Sequence, residues 1–268
     1  MRELYTSGIN IRILIIFISF FFILSCTPNS DVNKPVELIW DKPGNKTDEI
    51  IVFLPGLYDV ADIFQKEQFF ILARKAGIKA DMVAASIHIN HLLKEMVVER
   101  IEQDIFNPAI KNGYKNIWFV GVSLGALNSL LFYKKYEKDI CGVVVLAPYL
   151  GDKVLTEEIS NMGGIENGKP AVLVENNGRY KDKKIVDRQL QQLWFWFEEQ
   201  KSKNNLNKIF IGYGNEDRYV EVQSLFSGIL PKQNVTMIKG EHEWKTGRKL
   251  WQQQLSSRFE TGLLKPCK

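Results

Sequence analysis

The sequence contains few cysteines, few histidines and almost no excess of charge. Its 268 residues include three cysteines and three histidines, and the formal net charge is +4. A balance this close to neutral gives no electrostatic reason to expect nucleic acid as a partner. The chain also lacks a Cys-x-x-Cys pair, a His-x-x-x-His pair and a phosphate-binding P-loop, so we predict no metal and no cofactor.

The amino terminus departs from this ordinary composition. Arg2 and Arg12 precede an apolar run over residues 13–24 that is interrupted only by Ser19, which is the pattern of a secretory signal. The run is shorter than the roughly 20 apolar residues needed to span a membrane. We therefore predict that residues 1–25 are a signal peptide and not a transmembrane anchor.

The residues that end this run, Ile23-Leu24-Ser25-Cys26, resemble the lipobox of bacterial lipoproteins. The resemblance implies that Cys26 is acylated and becomes the first residue of the mature chain, with a membrane as its partner. More than one acyl chain gives stable anchoring, because each buried methylene contributes about 0.8 kcal/mol. In that family a residue other than aspartate after the cysteine, here Thr27, implies sorting to the outer membrane of the cell envelope. The alternative is an ordinary signal peptide followed by a chance cysteine.

The other two cysteines do not indicate a disulfide framework. Cys141 lies in an apolar, strand-like stretch and is expected to be a small core residue, while Cys267 is near the chain end. A disulfide between them is the less favoured alternative.

Residues 26–35 are polar and are expected to form a flexible tether, and a single domain is expected over residues 36–268. In this domain, short apolar runs alternate with longer stretches of helical spacing, which is typical of a mostly parallel sheet with helices on both faces. The predicted strands are 36–40, 49–54, 80–85, 117–120, 143–146, 208–211 and 235–238. The predicted helices are 63–76, 91–106, 124–136 and 184–201.

Residues 151–207 separate two predicted strands by far more than one crossover requires. They contain a break at Gly163-Gly164 and the aromatic run Trp194-Phe195-Trp196-Phe197. We predict a small helical cap insertion over the carboxyl ends of the strands, followed by the regular crossover helix. For the inward-facing aromatics, packing of that helix on the sheet is the better interpretation.

The chemistry is predicted from Gly121-Val122-Ser123-Leu124-Gly125, a Gly-x-Ser-x-Gly motif. A buried strand is predicted directly before it and an apolar helical stripe directly after it, so the motif falls on a strand-to-helix turn. Such a turn exposes the hydroxyl of Ser123 as a nucleophile. Gly121 and Gly125 let the strand and the helix approach without a side-chain clash.

These features resemble the α/β-hydrolase superfamily, in which an acid and a histidine follow the serine at the ends of later strands. Gly214-Asn215-Glu216-Asp217 is similar to the family's Gly-x-x-Asp turn, and Gly240-Glu241-His242-Glu243-Trp244 is similar to its Gly-x-His-x-Trp. The resemblance implies that Asp217 and His242 are the catalytic partners of Ser123, and that the fold is an α/β-hydrolase fold.

Other residues compete for these roles. Glu216 and Asp152 are alternatives for the acid, and the spacing from Gly214 favours Asp217. The remaining histidines, His88 and His91, precede the serine and are expected to be surface or capping groups.

An acyl-transfer site also needs N–H donors for the oxyanion, each contributing about 3 kcal/mol. The backbone N–H of Leu124, directly after the nucleophile, is one candidate. Pro55-Gly56-Leu57-Tyr58 resembles the family's oxyanion turn, which implies that Leu57 supplies the other N–H. Tyr58 either lines the acyl pocket or covers the loop.

The predicted function is hydrolysis of carboxylic esters or thioesters, with a small-molecule or lipid ester as substrate. Ser123 would attack, His242 would relay the proton, and Asp217 would orient the imidazole. Amide cleavage or acyl transfer would use the same residues. The alternatives are a hydrolase-fold binding or scaffold lipoprotein without turnover, and a lipoprotein that assists envelope assembly through residues 151–207.

Overall fold

The structure, a computed structural model, describes residues 31–44, 46–152, 157 and 181–259. The predicted signal peptide, Cys26 and the Gly163-Gly164 break lie outside the described residues.

Seven strands form one sheet in the order β1-β3-β2-β4-β5-β6-β7. β1 pairs with β3 antiparallel, and every other neighbouring pair is parallel. The bounds are β1 Leu38–Asp41, β2 Glu49–Leu54, β3 Asp81–Ala85, β4 Asn116–Val122, β5 Gly142–Leu146, β6 Ile209–Gly214 and β7 Val235–Ile238. The predicted α/β architecture is therefore confirmed, with each strand close to its expected position.

The helices of the described part connect these strands, except for the last helix, which follows β7. They are α1 Ile63–Lys66, α2 Phe69–Lys75, α3 Ile89–Leu93, α4 Val97–Ile101, α5 Asn107–Lys111, α6 Leu124–Tyr136, α7 Lys181–Ser202, α8 Val220–Ser227 and α9 Trp244–Phe259. A π-helical turn, Glu102–Phe106, joins α4 to α5, and a 3₁₀ turn, Lys232–Asn234, precedes β7. The predicted helix over 91–106 is thus several short pieces.

The central strands are buried on both faces because helices cover both sides of the sheet. Along β2, Ile50, Val52 and Leu54 belong to one hydrophobic cluster, and Ile51 and Phe53 belong to another. This division follows from the alternation of side chains along a strand. Strands in such a position carry continuous apolar runs, which is why they could be found in the sequence.

The aromatic run of α7 packs into the core. Trp194, Trp196 and Phe197 are at most 8% exposed, and the Trp194 indole Nε1–H donates to the carbonyl oxygen of Leu150 at 2.9 Å. Phe197 contacts Phe226 of α8, with ring centroids 4.4 Å apart. The run therefore holds α7 on the domain, as expected for its inward-facing members. Residues 153–156 and 158–180 of the predicted cap insertion lie outside the described residues.

Cys141 differs from expectation in its chemistry. It is buried, with 3% exposure, but it is disulfide-bonded, and its partner lies outside the described residues. The sequence favoured an unpaired core cysteine because connectivity between distant cysteines cannot be derived from spacing.

Candidate active site

Ser123 occupies the turn between β4 and α6. Its backbone has φ 52° and ψ −112°, a left-handed region that costs a non-glycine residue about 1–3 kcal/mol. Two hydrogen bonds hold this conformation: the Ser123 N–H donates to Leu146 O at 3.0 Å, and Tyr149 N–H donates to Ser123 O at 3.1 Å. The loop after β5 therefore fixes the serine from the side.

The two glycines of the motif allow the main chain of α6 to contact the main chain of the sheet directly. A Cβ on Gly125 would lie 2.0 Å from the carbonyl oxygen of Leu54 in β2, and a Cβ on Gly121 would lie 2.3 Å from the carbonyl oxygen of Gly125. Both obstacles are main chain, which cannot swing aside as a flexible side chain can. The serine can sit at this turn only because neither position carries a side chain.

Asp217 and His242 follow β6 and β7, and the two turns that carry them are joined. Asn215 N–H donates to Ile238 O at 2.9 Å, and Glu216 N–H donates to Gly240 O at 3.0 Å. A Cβ on Gly214 would lie 2.1 Å from the Gly240 carbonyl oxygen. These contacts hold the turn that carries Asp217 against the turn that carries His242, which is called the histidine turn below.

The three predicted side chains lie in one hydrogen-bonded line. His242 Nε2 is 2.9 Å from Ser123 Oγ, and His242 Nδ1 is 2.8 Å from Asp217 Oδ2. The Asp217 side chain is fully buried and the His242 side chain is 13% exposed. An ionised carboxylate can only accept, so Nδ1 carries the proton and Nε2 is left to accept from the serine hydroxyl.

Asp217 is kept in its charged form. Burial by itself would raise the pKa of Asp217, but hydrogen bonds from His242 and from the Tyr219 N–H outweigh burial and hold the pKa below its ordinary value. The Tyr219 N–H donates to Asp217 Oδ1 at 2.8 Å, so the two carboxylate oxygens have separate donors.

The rival acids lie elsewhere. The Glu216 carboxylate is 3.8 Å from Lys239 Nζ on the surface. Asp152 is close enough to Tyr149 to help burial raise the pKa of that phenol to about 12. Asp217 is the one of the three whose carboxylate contacts His242.

The two other histidines have a structural role at the start of α3. His88 Nδ1 accepts from Asn90 N–H, and His91 Nδ1 accepts from His88 N–H, both at 3.2 Å. The expected capping is confirmed, whereas a surface position is wrong for His91, which is 2% exposed. Burial, followed by electrostatic repulsion from the neighbouring His88, lowers the pKa of His91 to about 4.

The loop after β2 lies against the serine. A Cβ on Gly56, the residue before Leu57, would be 3.7 Å from Ser123 Cβ. Within the described part of the chain, the N–H groups of Leu57 and Leu124 donate to no acceptor. Two N–H groups that are not used by the fold are what an oxyanion site requires.

Two supporting contacts were not predicted from the sequence. Trp244 Nε1–H donates to Asp59 Oδ2 at 3.3 Å and joins the histidine turn to the loop after β2. The Tyr219 ring meets the His242 imidazole with centroids 5.1 Å apart. The spacing Asp-x-Tyr could have indicated the Tyr219 N–H bond, since aspartates often accept from the residue two positions on. The ring contacts carry no such signal.

Within the ranges that the structure describes, no cluster of three or more metal-ligating side chains occurs. No helix in those ranges combines the length and apolar character that crossing a membrane requires.

Neither a protein-family model nor any curated protein matches this sequence, but solved structures do. The S-formylglutathione hydrolase FrmB from Staphylococcus aureus is 12% identical with a TM-score of 0.60, over 86% of this chain and 93% of that one. Est1E from Butyrivibrio proteoclasticus with bound ferulic acid is 14% identical with a TM-score of 0.55, over 86% and 96%. MGS-MChE2, an α/β-hydrolase from a lagoon-sediment metagenome, is 15% identical with a TM-score of 0.53, over 85% and 99%.

At these identities the similarity defines the fold. The chain has the α/β-hydrolase fold that the sequence predicted.

The close approach of α6 to β2 makes a testable prediction. We expect Gly125→Ala to lower the free energy of unfolding by more than about 3 kcal/mol, or to prevent folding, because its Cβ would collide with main chain. Gly247→Ala in α9 is the matched control, since a Cβ there meets nothing within 4 Å. That change should be neutral or stabilising by up to about 1 kcal/mol. Thermal unfolding measures both, and a fully stable Gly125→Ala variant would contradict the steric requirement.

Proposed function

We propose that the protein is a serine hydrolase that cleaves carboxylic esters or thioesters through an acyl-enzyme. The observation that carries the proposal is the line from Ser123 Oγ through His242 to Asp217, with contacts of 2.9 and 2.8 Å. Solved structures of the same fold are named as an S-formylglutathione hydrolase and as a ferulic-acid-bound Est1E, in agreement with ester chemistry.

The geometry supports a stepwise mechanism. Ser123 Oγ attacks the carbonyl carbon while His242 Nε2 takes the hydroxyl proton, and Asp217 stabilises the resulting imidazolium. The N–H groups of Leu57 and Leu124 receive the oxyanion. His242 then returns the proton to the leaving alcohol or thiol. Water, activated by the same histidine, releases the acid from the acyl-enzyme.

The non-enzymatic alternatives have less support. A binding or scaffold protein has no physical need for a serine in a strained conformation, with a base within 3 Å and a buried carboxylate behind the base. Backbone strain at a surface turn lowers stability and is retained where a function uses it. A role in envelope assembly would depend on residues 151–207, of which residues 153–156 and 158–180 lie outside the described residues.

The loop that carries Leu57 presents apolar surface beside the serine. Leu57 is 40% exposed and Tyr58 is 79% exposed. Tyr58 also has φ 66°, in a turn closed by a hydrogen bond from Asp59 N–H to Gly56 O at 3.3 Å. Glycine would fit this backbone without strain. A strained and exposed tyrosine at this position supports contact with the apolar part of the substrate.

We further propose that the protein is held at a membrane of the bacterial cell envelope through acylation of Cys26. The support comes from the sequence, where the apolar run over residues 13–24 ends in the lipobox-like Ile23-Leu24-Ser25-Cys26. Tethering would place the site near lipid or envelope esters and would concentrate it on such substrates. Thr27, at the position after the cysteine, supports sorting to the outer membrane.

The hydrolase proposal predicts covalent labelling at one serine. We expect a fluorophosphonate probe to label the wild-type protein and to fail on Ser123→Ala, because the probe needs an activated hydroxyl. Ser256→Ala removes an exposed hydroxyl from α9 and should be labelled like the wild type. Gel fluorescence with circular dichroism as a folding control measures this. Folded wild-type protein that takes up no probe would exclude the enzyme.

The substrate contact at Tyr58 predicts a change in KM. We expect Tyr58→Gly to raise KM about 5-fold for p-nitrophenyl octanoate and to leave KM for the acetate unchanged, since about 1 kcal/mol of apolar contact is lost. The free energy of unfolding should change little. Glycine relieves the backbone strain of the folded state, and this gain offsets the higher conformational entropy that glycine gives the unfolded chain. Gln68→Gly relieves a similar φ of 63° at another exposed position and should alter neither KM. An unchanged octanoate KM in Tyr58→Gly would refute the contact.

The tether predicts a lipid on Cys26. In bacterial cells, the wild-type chain should incorporate an alkyne analogue of palmitate and sediment with membranes, whereas Cys26→Ser should do neither, because no thioether can form. Thr27→Ser is a control that retains the cysteine. Wild-type protein that is released without label would leave only the cleaved-signal alternative.

A further inference from the structure

We propose that Tyr219 is a positioning residue that holds the His242 imidazole in the orientation linking Ser123 to Asp217. The inference rests on the proposed hydrolase function and assigns a residue to it that no sequence motif contains. Tyr219 lies two residues after Asp217 and directly precedes α8.

The backbone of Tyr219 fixes the acid. Its N–H donates to Asp217 Oδ1 at 2.8 Å, while Asp217 Oδ2 is 2.8 Å from His242 Nδ1. Since a carboxylate can rotate about its terminal bond, a donor on one oxygen decides where the other oxygen points. The Tyr219 N–H therefore directs Oδ2 at the imidazole.

The side chain of Tyr219 fixes the base. Its ring meets the imidazole edge-on, with centroids 5.1 Å apart and an interplanar angle of 83°. The hydrogen bonds of His242 hold the two ring nitrogens but leave the ring able to tilt about the line that joins them. A ring packed against the imidazole restricts that tilt. Aromatic pairs in this edge-to-face geometry are favourable beyond the apolar area that they bury.

Two neighbouring side chains hold the Tyr219 ring in place. Tyr149 packs against it with centroids 5.2 Å apart at 75°, and the Arg218 guanidinium lies 4.9 Å from its centroid. Tyr149 also donates its N–H to the carbonyl oxygen of Ser123 at 3.1 Å. The contacts thus run from Ser123 to His242, to Tyr219, to Tyr149 and back to Ser123. Because these four residues contact one another in a ring, a shift of any one of them is transmitted to Ser123.

Kinetics separates positioning from simple packing. We expect Tyr219→Ala to lower kcat for a p-nitrophenyl ester about 10- to 100-fold with KM within about 2-fold, because the N–H donor survives while the base loses its orientation. Tyr219→Phe keeps the ring and should restore kcat to within about 2-fold of wild type. Tyr136→Ala is the matched control, since Tyr136 is also half-buried and packs on Phe106 and Phe132 at the far end of α6. It should leave kcat per folded molecule unchanged.

A second measurement does not require turnover. The proton on His242 Nδ1, shared with Asp217, should give a downfield ¹H NMR signal in wild type and in Tyr219→Phe, and this signal should broaden or vanish in Tyr219→Ala. Unchanged kcat and an unchanged signal in folded Tyr219→Ala would overturn the positioning role. If the wild type neither reacts with fluorophosphonate nor hydrolyses esters, the hydrolase proposal fails, and the NMR comparison still decides whether Tyr219 orients His242.

Discussion

The backbone approach between the first turn of α6 and the ends of β2 and β4 is the constraint on which the site depends. The missing side chains of Gly121 and Gly125 allow it, since a Cβ at either position would meet main chain within 2.5 Å. The approach forces Ser123 into a left-handed conformation and turns its hydroxyl out of the sheet. It also brings the loop that contains Gly56 against the serine. The position of Ser123 and that of the loop beside it thus result from one packing contact.

The meeting of Asp217 with His242 depends on a second constraint of the same kind. Gly214 lets the turns after β6 and β7 touch, because a Cβ there would lie 2.1 Å from the Gly240 carbonyl oxygen, and main-chain hydrogen bonds keep the turns together. Both constraints lie at the carboxyl edge of the parallel strands, where ligands bind in open α/β sheets.

Much of this architecture can be predicted from the sequence because it has local signals. Buried parallel strands are continuous apolar runs, and glycine is required wherever main chains touch, so the strands and the turns around Ser123, Asp217 and His242 could be located. Contacts between residues distant in the chain carry no such signal. The meeting of Tyr149 with Tyr219, the indole of Trp244 on Asp59 and the disulfide at Cys141 result from tertiary packing. The division of residues 89–111 into several short helices was also missed. The apolar spacing continues across the breaks between them, so the sequence suggested one long helix.

The position of α7 in the chain has a consequence for how this protein could diversify. Every described contact of Ser123, His242 and Asp217 is made by residues up to Tyr149 or from Gly214 onward. α7, which lies between these two sets of residues in the chain, is secured to the core separately, through Trp194 and Phe197. Substitutions at exposed positions of α7 would therefore leave the described hydrogen bonds of Ser123, His242 and Asp217 in place. The sequence of α7 can thus vary independently of these three residues, provided that Trp194 and Phe197 are kept.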